Sequence, residues 1–230
     1  MEAAEVRKLA AVEDRHWWYA ERRHLLRRAL RGLTPGRALD IGAAGGGNTR
    51  VLREGGWRPV ALEYTAEGSQ VAQERGLAVI RGDATKLPLD TDSMDLIVAF
   101  DVLEHIEDDL GAVEEVRRVL KASGTFLIAV PADPALWSAH DTAVGHVRRY
   151  TRSGLVDVLT RGGFEVEDIT SWMVLLRPAV LLRRRGSTGS DLDDPHPVVN
   201  TVLRSVVVAE RFLPTGRLPG VSLLVRARPR

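Results

Sequence analysis

The chain has 230 residues, 44% of them hydrophobic and 27% charged, which is enough material for one domain with a full core. It has no cysteine, which excludes a disulfide scaffold, a cysteine-ligated zinc or iron–sulfur centre and a thiolate nucleophile. The 32 basic and 31 acidic residues leave a net charge of +1, so the chain lacks the overall positive field that generic nucleic-acid binding requires.

The first part of the chain, residues 1–34, has the pattern of one or two charged helices that end at the break Thr34-Pro35-Gly36. It is charged where a signal peptide needs an apolar stretch. The most apolar later stretch, Trp172 to Leu182, is too short for a membrane span and contains Arg177 and Pro178. These features predict a cytoplasmic protein without an integral membrane span.

The middle of the chain alternates short apolar runs with longer helical patterns, which is typical of βαβ units around a parallel sheet. The predicted strands are residues 37–41, 59–63, 77–80, 95–100 and 124–130. The predicted helices open near 45–47 and cover 66–75 and 108–120. This part therefore predicts a doubly wound α/β core.

The chain after this core is less regular. Residues 131–151 contain proline, glycine and two histidines with little periodicity, which indicates a long loop or lid. A helix is predicted over 151–160, a strand over 162–172, a mobile polar stretch over 183–197, an amphipathic helix over 198–212 and a last strand over 221–227.

The final segment, residues 171–230, has ten arginines and only four acidic residues. A solvated charge run is the preferred interpretation of this excess. Docking on an acidic carrier protein, a nucleotide-sugar phosphate or an anionic membrane surface is the alternative.

The strongest local motif is LDIGAAGGGNT at residues 39–49, where a buried strand leads into a glycine-rich turn and then a helix. Such a turn lets the backbone approach a ligand closely at the helix N-terminus, although a tight packing turn has the same composition. Glu63 follows Asp40 by 23 positions, which suits a carboxylate that accepts hydrogen bonds from ribose hydroxyls. Asp83 and Asp101 follow the next two strands, so four strand ends carry polar residues at one edge of the sheet.

From these residues, the segment 35–170 resembles the class I S-adenosylmethionine (SAM) methyltransferases, whose first motif reads LDIGCGTGG. The resemblance implies a Rossmann-like, doubly wound seven-stranded sheet, SAM as the cofactor and S-adenosylhomocysteine (SAH) as its product. In that family the residue matching Asp83 contacts the adenine amino group and the one matching Asp101 lies near the methionine part. The positions implied to contact the cofactor are Asp40, Gly42, Ala43, Ala44, Gly46, Glu63, Tyr64, Asp83, Ala84, Phe100, Asp101 and His105.

Three further stretches, HWWYAERR, GHVRRYT and PTGRLPGVSLLV, resemble a narrower group of methyltransferases that act on small molecules of sugar, polyketide or polysaccharide pathways. In that group the N-terminal helix folds over the cofactor as a lid. The resemblance implies that Tyr19 and Arg22, or Arg23, cover the methionyl carboxylate. The alternative for the neighbouring Trp17 and Trp18 is that their rings are buried against the core.

Two other functions stay open. Ala44 occupies the position of the second glycine in the family's GxGxG pattern, so a member that binds SAM or SAH without transferring a methyl group is one alternative. An NAD(P)-dependent oxidoreductase is the other, although Ala44 also breaks the G-x-G-x-x-G pattern of that class. A P-loop is excluded because no Gly-Lys-Ser/Thr occurs.

The methyl acceptor predicted by these features is a hydroxyl or amine of a small molecule, not a nucleic acid. Histidine is the best-matched base near pH 7, and the candidates are His105, His140 and His146. Asp141 is a possible orienting partner, although a structural network that includes His146 and Arg149 is equally compatible with the sequence. The six histidines have no close metal-ligand spacing, so no metal site is predicted.

Overall fold

The computed structural model describes Arg7 and residues 11–43, 45–184 and 195–230. Within these ranges seven strands form one sheet. In chain order they are β1 (Arg37–Ile41), β2 (Arg58–Glu63), β3 (Val79–Arg81), β4 (Met94–Phe100), β5 (Leu120–Pro131), β6 (Phe164–Trp172) and β7 (Ser222–Pro229).

The described helices lie before, between and after these strands. They are α1 (Trp17–Ala29), α2 (Gly47–Glu54), α3 (Ala66–Glu74), α4 (Asp109–Val119), α5 (Ala139–Ala143), α6 (Arg152–Arg161), α7 (Arg177–Arg184) and α8 (Pro197–Glu210). The helices α3, α4 and α6 begin in the same way, because the side chain of Thr65, Asp108 or Thr151 accepts the N–H of a glycine three residues later. Each cap fixes the point where the chain turns into a helix.

The strand order is β3-β2-β1-β4-β5-β7-β6. The first five strands are parallel, as predicted, and β7 runs antiparallel between β5 and β6. The α/β fold with seven strands is therefore confirmed, with the last strand reversed. Because of that reversal β7 starts at the edge where its neighbours end, and Ser222 pairs with both Pro131 of β5 and Trp172 of β6.

Both faces of the sheet are covered, which explains why the central strands are almost entirely apolar. Alternate residues of β4 serve opposite faces: Ile97 packs in a core that includes α4 and α6, and Leu96 packs in a core that includes α1 and α2. A third cluster joins Trp17 of α1 to Trp172 and to Val207 of α8. The N-terminal helix therefore packs on the end of the chain, to which it is also joined by a 2.9 Å hydrogen bond from Trp17 N–H to Asn200 Oδ1.

Two stretches differ from the sequence prediction. Residues 131–151 contain a 3-10 helix, Pro134–Leu136, and the short helix α5, which begins with a capping box between Ser138 and Asp141. These elements are too short to produce a visible periodicity. The sequence prediction also lacks the helix α7, because Arg177 and Pro178 interrupt its apolar pattern, although proline fits the first turn of a helix. Most of the stretch 183–197 that is predicted to be mobile, residues 185–194, lies outside the described residues.

Candidate functional site

A cavity of about 1010 Å³ opens at the carboxyl edge of the parallel strands. This volume is at the upper end of the range for small-molecule sites, about 300–1,000 Å³. The ends of β1, β2, β4 and β5 and the start of β7 line it on one side, and α1, α7 and α8 line it on the other. Twelve of the residues singled out from the sequence are in its wall, namely Tyr19, Arg22, Gly42, Glu63, Tyr64, Asp83, Ala84, Phe100, Asp101, His105, His140 and His146.

The other four predicted cofactor residues are not placed in this wall. Asp40 and Ala43 are buried behind it. Gly46 has a φ of +79°, and a Cβ there would lie 2.2 Å from the Leu77 side chain, so this glycine is required by packing between the turn and Leu77. Ala44 lies outside the described residues. Among the described glycines of the turn, Gly42, with a φ of +66°, is the one whose backbone reaches the cavity.

Asp40, in β1, stabilises the glycine-rich turn through a hydrogen bond to the helix that follows it. Its Oδ2 accepts a 2.6 Å hydrogen bond from the Thr49 hydroxyl of α2, which ties the turn at both ends. Burial raises the pKa of Asp40 to about 7. Its Oδ1 has no hydrogen-bond partner within the described part of the chain.

Glu13 is a buried residue of this region that the sequence reasoning missed. Its Oε1 accepts a 2.8 Å hydrogen bond from Gly47 N–H at the start of α2, and burial raises its pKa. Arg23 donates to the Glu13 carbonyl at 2.9 Å, so this arginine holds the N-terminal segment and is not in the cavity wall. The contact between Glu13 and Gly47 joins residues 34 positions apart, and no local motif marks it.

Glu63 is the last residue of β2, and Asp83 lies in the loop after β3. Both line the same side of the cavity. Glu63 is 8% exposed and lies against the start of α3, where a Cβ on Gly68 would be 2.4 Å from its Oε2. Asp83 shapes its own turn, because its Oδ1 accepts both the N–H and the hydroxyl of Thr85 at 2.8 Å. Tyr64 follows Glu63 at the mouth of the cavity and is 70% exposed.

Arg22 and Asp101, both in the cavity wall, form an ion pair with 3.1 Å between Nε and Oδ2, and their side chains are 11% and 19% exposed. Arg22 also donates to the Phe100 carbonyl at 2.9 Å, and its guanidinium lies over the ring of Trp18, 4.6 Å from the centroid. Asp101 has a φ of +56°, which carboxylate and amide side chains tolerate better than most. Burial raises its pKa, against the charges of Arg22, His146 and Arg149.

The aromatic residues at the start of α1 have two roles at once. Trp17 is buried and Trp18 stacks on Trp172 with centroids 6.2 Å apart, so both rings anchor α1 on the C-terminal elements. Both also line the cavity, next to Tyr19. Burial raises the pKa of Tyr19 to about 12, so its hydroxyl stays protonated and can donate.

The three candidate histidines lie together on the other side of the cavity. The rings of His105 and His146 are 4.8 Å apart, and those of His140 and His146 are 6.1 Å apart. His146 Nδ1 is 2.8 Å from Asp141 Oδ1. In sequence these histidines belong to two segments, and the fold brings the segments together.

Asp141 is fully buried and holds this side of the cavity in place. It accepts hydrogen bonds from Arg149 Nε at 2.7 Å, Ser138 N–H at 3.0 Å and Arg184 Nη1 at 3.3 Å, besides its contact with His146. Burial favours a higher pKa, but the hydrogen bond with His146 and the charges of Arg149 and Arg184 outweigh it and hold the pKa of Asp141 well below its usual range. The structural network that was one reading of the sequence therefore exists, and its histidines also line the cavity.

Glu104, beside His105, was not singled out as a site residue from the sequence. It is 0% exposed, and its Oε1 lies 3.8 Å from His146 Nε2. Ligand atoms of Glu104, His105 and His146 all lie within 4.8 Å of one another. Linear spacing did not predict this group, because His146 comes from the loop after β5.

Comparisons with known proteins identify methyltransferases as relatives of this chain. A family model described as "Methyltransferase domain" matches residues 39–128. A protein of Mycolicibacterium smegmatis named as a probable S-adenosylmethionine-dependent methyltransferase is 27% identical over 168 residues, 70% of this chain and 65% of the relative. YcgJ of Bacillus subtilis, named as an uncharacterized methyltransferase, is 30% identical over 166 residues, 66% of each chain. The matched part of this chain thus spans 65% and 66% of these two relatives.

The fold also matches a solved structure over almost its whole length. A chain crystallised in complex with the Trm112 methyltransferase activator of Haloferax volcanii has a TM-score of 0.68 and 23% identity, with 98% of this chain and 94% of that chain covered. Among the described residues, no helix is long and apolar enough to cross a membrane.

Proposed function

This chain belongs to the class I SAM-dependent methyltransferase family, and on that premise we propose that it methylates a hydroxyl or amine of a small, largely apolar molecule. One observation carries the proposal. The same cavity combines the strand-end carboxylates Glu63 and Asp101 with the histidines His105, His140 and His146. The two carboxylates can bind the ribose hydroxyls and the cationic amino acid part of a nucleoside ligand. The histidines can remove a proton from an acceptor.

The residues of the cofactor side fit SAM. The Gly42 backbone reaches the cavity where a Cβ would lie 2.8 Å from the Val102 side chain, so the close approach depends on glycine. The Asp101 side chain is 19% exposed in the cavity wall and forms an ion pair there with Arg22, so its carboxylate can also accept a hydrogen bond from a ligand ammonium group. Glu63 would accept the ribose hydroxyls, and Asp83 and Ala84 would contact the adenine.

The helix α1 covers this side and brings a cation to it. Arg22 is 9% exposed, and its guanidinium stacks on the Trp18 ring. Its Nε contacts Asp101, and its Nη2 donates to the Phe100 carbonyl. The rest of its guanidinium can donate to a carboxylate, and the Tyr19 hydroxyl can donate to it as well. Tyr19 and Arg22 would thereby hold the methionyl carboxylate under a helical lid.

The acceptor side combines an apolar patch with its histidines, and Arg183 and Arg184 of α7 also line the cavity. Met173, Val180, Leu203 and Val221 line it, and all four come after β6 in the chain. Such a wall favours an acceptor with an apolar skeleton, as in a polyketide-derived metabolite, over a free sugar. Arg149, a cation in the same wall, is already bound by Asp141.

Bound SAM supplies a methyl group on a cationic sulfur, which an acceptor lone pair takes while the C–S electron pair stays on sulfur. The chain must position the acceptor oxygen or nitrogen and remove its proton. His146 is arranged for that task. If its Nδ1–H donates to Asp141, Nε2 carries the lone pair and takes the acceptor proton, and the resulting imidazolium is stabilised by the Asp141 carboxylate.

The test is calorimetric titration of the purified chain with SAM, SAH and NAD in parallel, followed by a search for acceptors that gain the mass of one methyl group. We expect SAM and SAH to bind and Glu63→Ala to weaken both. Glu165→Ala, which removes an exposed carboxylate of β6, is the matched control and should bind as the wild type does. Heat from NAD alone, or from no ligand, would contradict the proposal. Binding without methyl transfer to any acceptor would indicate a family member that holds SAM as a scaffold.

A further inference from the structure

The environment of Glu104 is unusual for a carboxylate. Within the part of the chain that the structure describes, neither of its oxygens accepts a hydrogen bond, although the residue is 0% exposed. Its ion-pair contact there is His146, at 3.8 Å. Buried carboxylates are costly unless they are paired, hydrogen-bonded or bound to a metal. Burial and the neighbouring Asp101 raise the pKa of Glu104 well above its usual range.

The two histidines beside Glu104 are oriented as metal-ligating histidines are. His146 Nδ1 is 2.8 Å from the Asp141 carboxylate, and His105 Nδ1 is 3.0 Å from the Gly145 carbonyl. An imidazole that donates from Nδ1 to a carboxylate or a carbonyl has its lone pair on Nε2, which is the usual arrangement behind a bound metal ion. Both acceptors therefore select the same tautomer.

The surroundings hold these groups in place. The Glu104 carbonyl accepts a 2.8 Å hydrogen bond from Val147 N–H, which docks the turn carrying His146 onto the segment carrying His105. Asp141 is fixed in turn by Arg149 and Arg184. A site supported in this way needs little rearrangement to bind an ion.

We propose that Glu104, His105 and His146 bind a divalent transition metal ion in the wall of the cavity. Two imidazoles and one carboxylate suit zinc, iron or manganese better than magnesium or calcium, which prefer oxygen ligands. The ligand atoms lie within 4.8 Å of one another, whereas two ligands of one tetrahedral zinc ion, each about 2.0–2.1 Å from the metal, are about 3.3–3.4 Å apart. Side-chain movements of up to about 1.5 Å would close the site.

With three ligands from the chain, such an ion keeps positions open toward the cavity, which His105 and His146 line. On the proposed function, the open positions would bind the acceptor through oxygen. Coordination lowers the pKa of a hydroxyl, so the proton leaves to solvent or to His140 and the oxygen keeps the electron pair that forms the new C–O bond, while the C–S electron pair stays on sulfur. In this arrangement His146 Nε2 ligates the ion and takes no proton, so the ion replaces His146 as the group that activates the acceptor. The acceptor class is then a molecule with an enol, phenol or paired oxygen donors.

The experiment is metal binding by the purified full chain after chelator treatment. Zn²⁺ is titrated calorimetrically, and Co²⁺ is titrated with its absorption bands as a second readout. We expect one ion per chain, and a loss of affinity of about 100-fold or more in Glu104→Gln and in His146→Ala. Unfolding of each metal-free variant is measured as well, and Glu104→Gln is expected to fold because it removes a buried carboxylate that accepts no hydrogen bond from the described residues. His24→Ala, a histidine of α1 outside the cavity wall, is the control and should keep wild-type affinity.

The outcomes separate the metal site from the proposed function. No Zn²⁺ or Co²⁺ binding by the wild type, or undiminished binding by a folded Glu104→Gln protein, overturns the metal site whether or not SAM binds. Metal binding by a protein that does not bind SAM supports the site and contradicts the function. Addition of catechol, a bidentate oxygen ligand, should shift the Co²⁺ bands of the wild type. Unchanged bands overturn the role in acceptor binding.

Discussion

Two arginine–aspartate pairs lie at the cavity, one fully buried and one partly exposed, and they differ in how their carboxylates are satisfied. In the pair Arg149–Asp141, with 2.7 Å between Nε and Oδ1, the carboxylate accepts from several groups of the loop after β5 and from α7. In the pair Arg22–Asp101, with 3.1 Å between Nε and Oδ2, the carboxylate accepts no hydrogen bond from another described residue, and the side chain is 19% exposed in the cavity wall. The carboxylate of Asp141 is filled by bonds from the chain, whereas that of Asp101 keeps accepting capacity toward the cavity.

The pKa directions of the two aspartates follow from this difference. Burial dominates at Asp101 and raises its pKa, whereas the hydrogen bond with His146 and two arginine charges outweigh burial at Asp141 and lower its pKa. A carboxylate filled by bonds within the chain indicates a structural role, whereas a carboxylate in a cavity wall that keeps accepting capacity is a candidate ligand contact.

The largest expected effect is at the pair Arg149–Asp141. Arg149→Ala leaves Asp141 buried with its closest arginine removed, which should lower the free energy of unfolding by about 3–5 kcal/mol. Urea denaturation measures it. Arg161→Ala is the control, because Arg161 pairs with Asp157 at the surface with both side chains more than half exposed, and such pairs contribute about 0–1 kcal/mol. Equal losses in the two variants would contradict a structural role for the Arg149–Asp141 pair.

Asp101→Asn should cost less stability than Arg149→Ala, because asparagine keeps an oxygen acceptor for Arg22, and it should weaken SAM binding. Asparagine tolerates the positive φ of this position, and the loss of one charge-assisted hydrogen bond, about 1.5–3 kcal/mol, corresponds to roughly 10- to 150-fold in affinity. Calorimetric titration with SAM and denaturation of the same samples check both parts. Asp157→Asn, at an exposed site, should change neither quantity. A variant that binds SAM normally but unfolds early would reverse the assignment of the two pairs.

Substitution of Gly42, whose backbone lines the cavity, is expected to have a smaller effect on stability. Gly42→Ala forces a left-handed conformation on alanine, which costs about 1–2 kcal/mol, and its Cβ would lie 2.8 Å from Val102 Cγ2. Gly76→Ala is a matched control, since Gly76 has a φ of +74° and an added Cβ would meet no heavy atom of the described residues within 4 Å. We expect Gly42→Ala to lose more stability than Gly76→Ala and to lose SAM binding, with Val102→Ala restoring part of the stability. Equal losses without a change in SAM binding would show that the close approach at Gly42 is unimportant.

The smallest expected effect is on how the free energy of unfolding changes with pH. Asp40 and Asp141 each change it by at most about 1.4 kcal/mol per pH unit. The folded pKa of Asp40 is raised from 3.8 to about 7, so the folded state keeps a proton that the unfolded state has released, and stability falls as pH rises through this window. Asp141 has the opposite sign, because its lowered pKa makes stability fall as pH drops below about 4.

Denaturation between pH 3 and pH 8 tests both signs. Asp40→Asn keeps an oxygen acceptor for Thr49 and should flatten the loss of stability between about pH 4 and pH 7, whereas Asp141→Asn should flatten the loss on the acidic side. Each variant thus serves as the control for the other. If either variant changes the slope in the other's window, the corresponding pKa direction is wrong.

The sequence by itself determined the α/β core, the order of its elements and most of the cofactor side. Strand periodicity, the glycine turn and the position of Glu63 are local features, and a residue directly after a parallel strand must lie at the carboxyl edge of the sheet. Gly42, Glu63, Asp83 and Asp101 could therefore be placed without coordinates. The packing of Gly46 against Leu77 could not be predicted, because Leu77 is distant in sequence.

Only the tertiary structure decided the acceptor side. The reversed strand β7 brings Val221 and Ser222 to the cavity, and the turn at 145–147 docks on Glu104 through one backbone hydrogen bond. Glu13 reaches the glycine turn from 34 residues away. Such contacts leave no periodicity or spacing in the sequence, because they depend on how separate elements pack. The physical reason is that backbone conformation is set by neighbours in the chain, whereas burial, charge compensation and the meeting of side chains are set by neighbours in space.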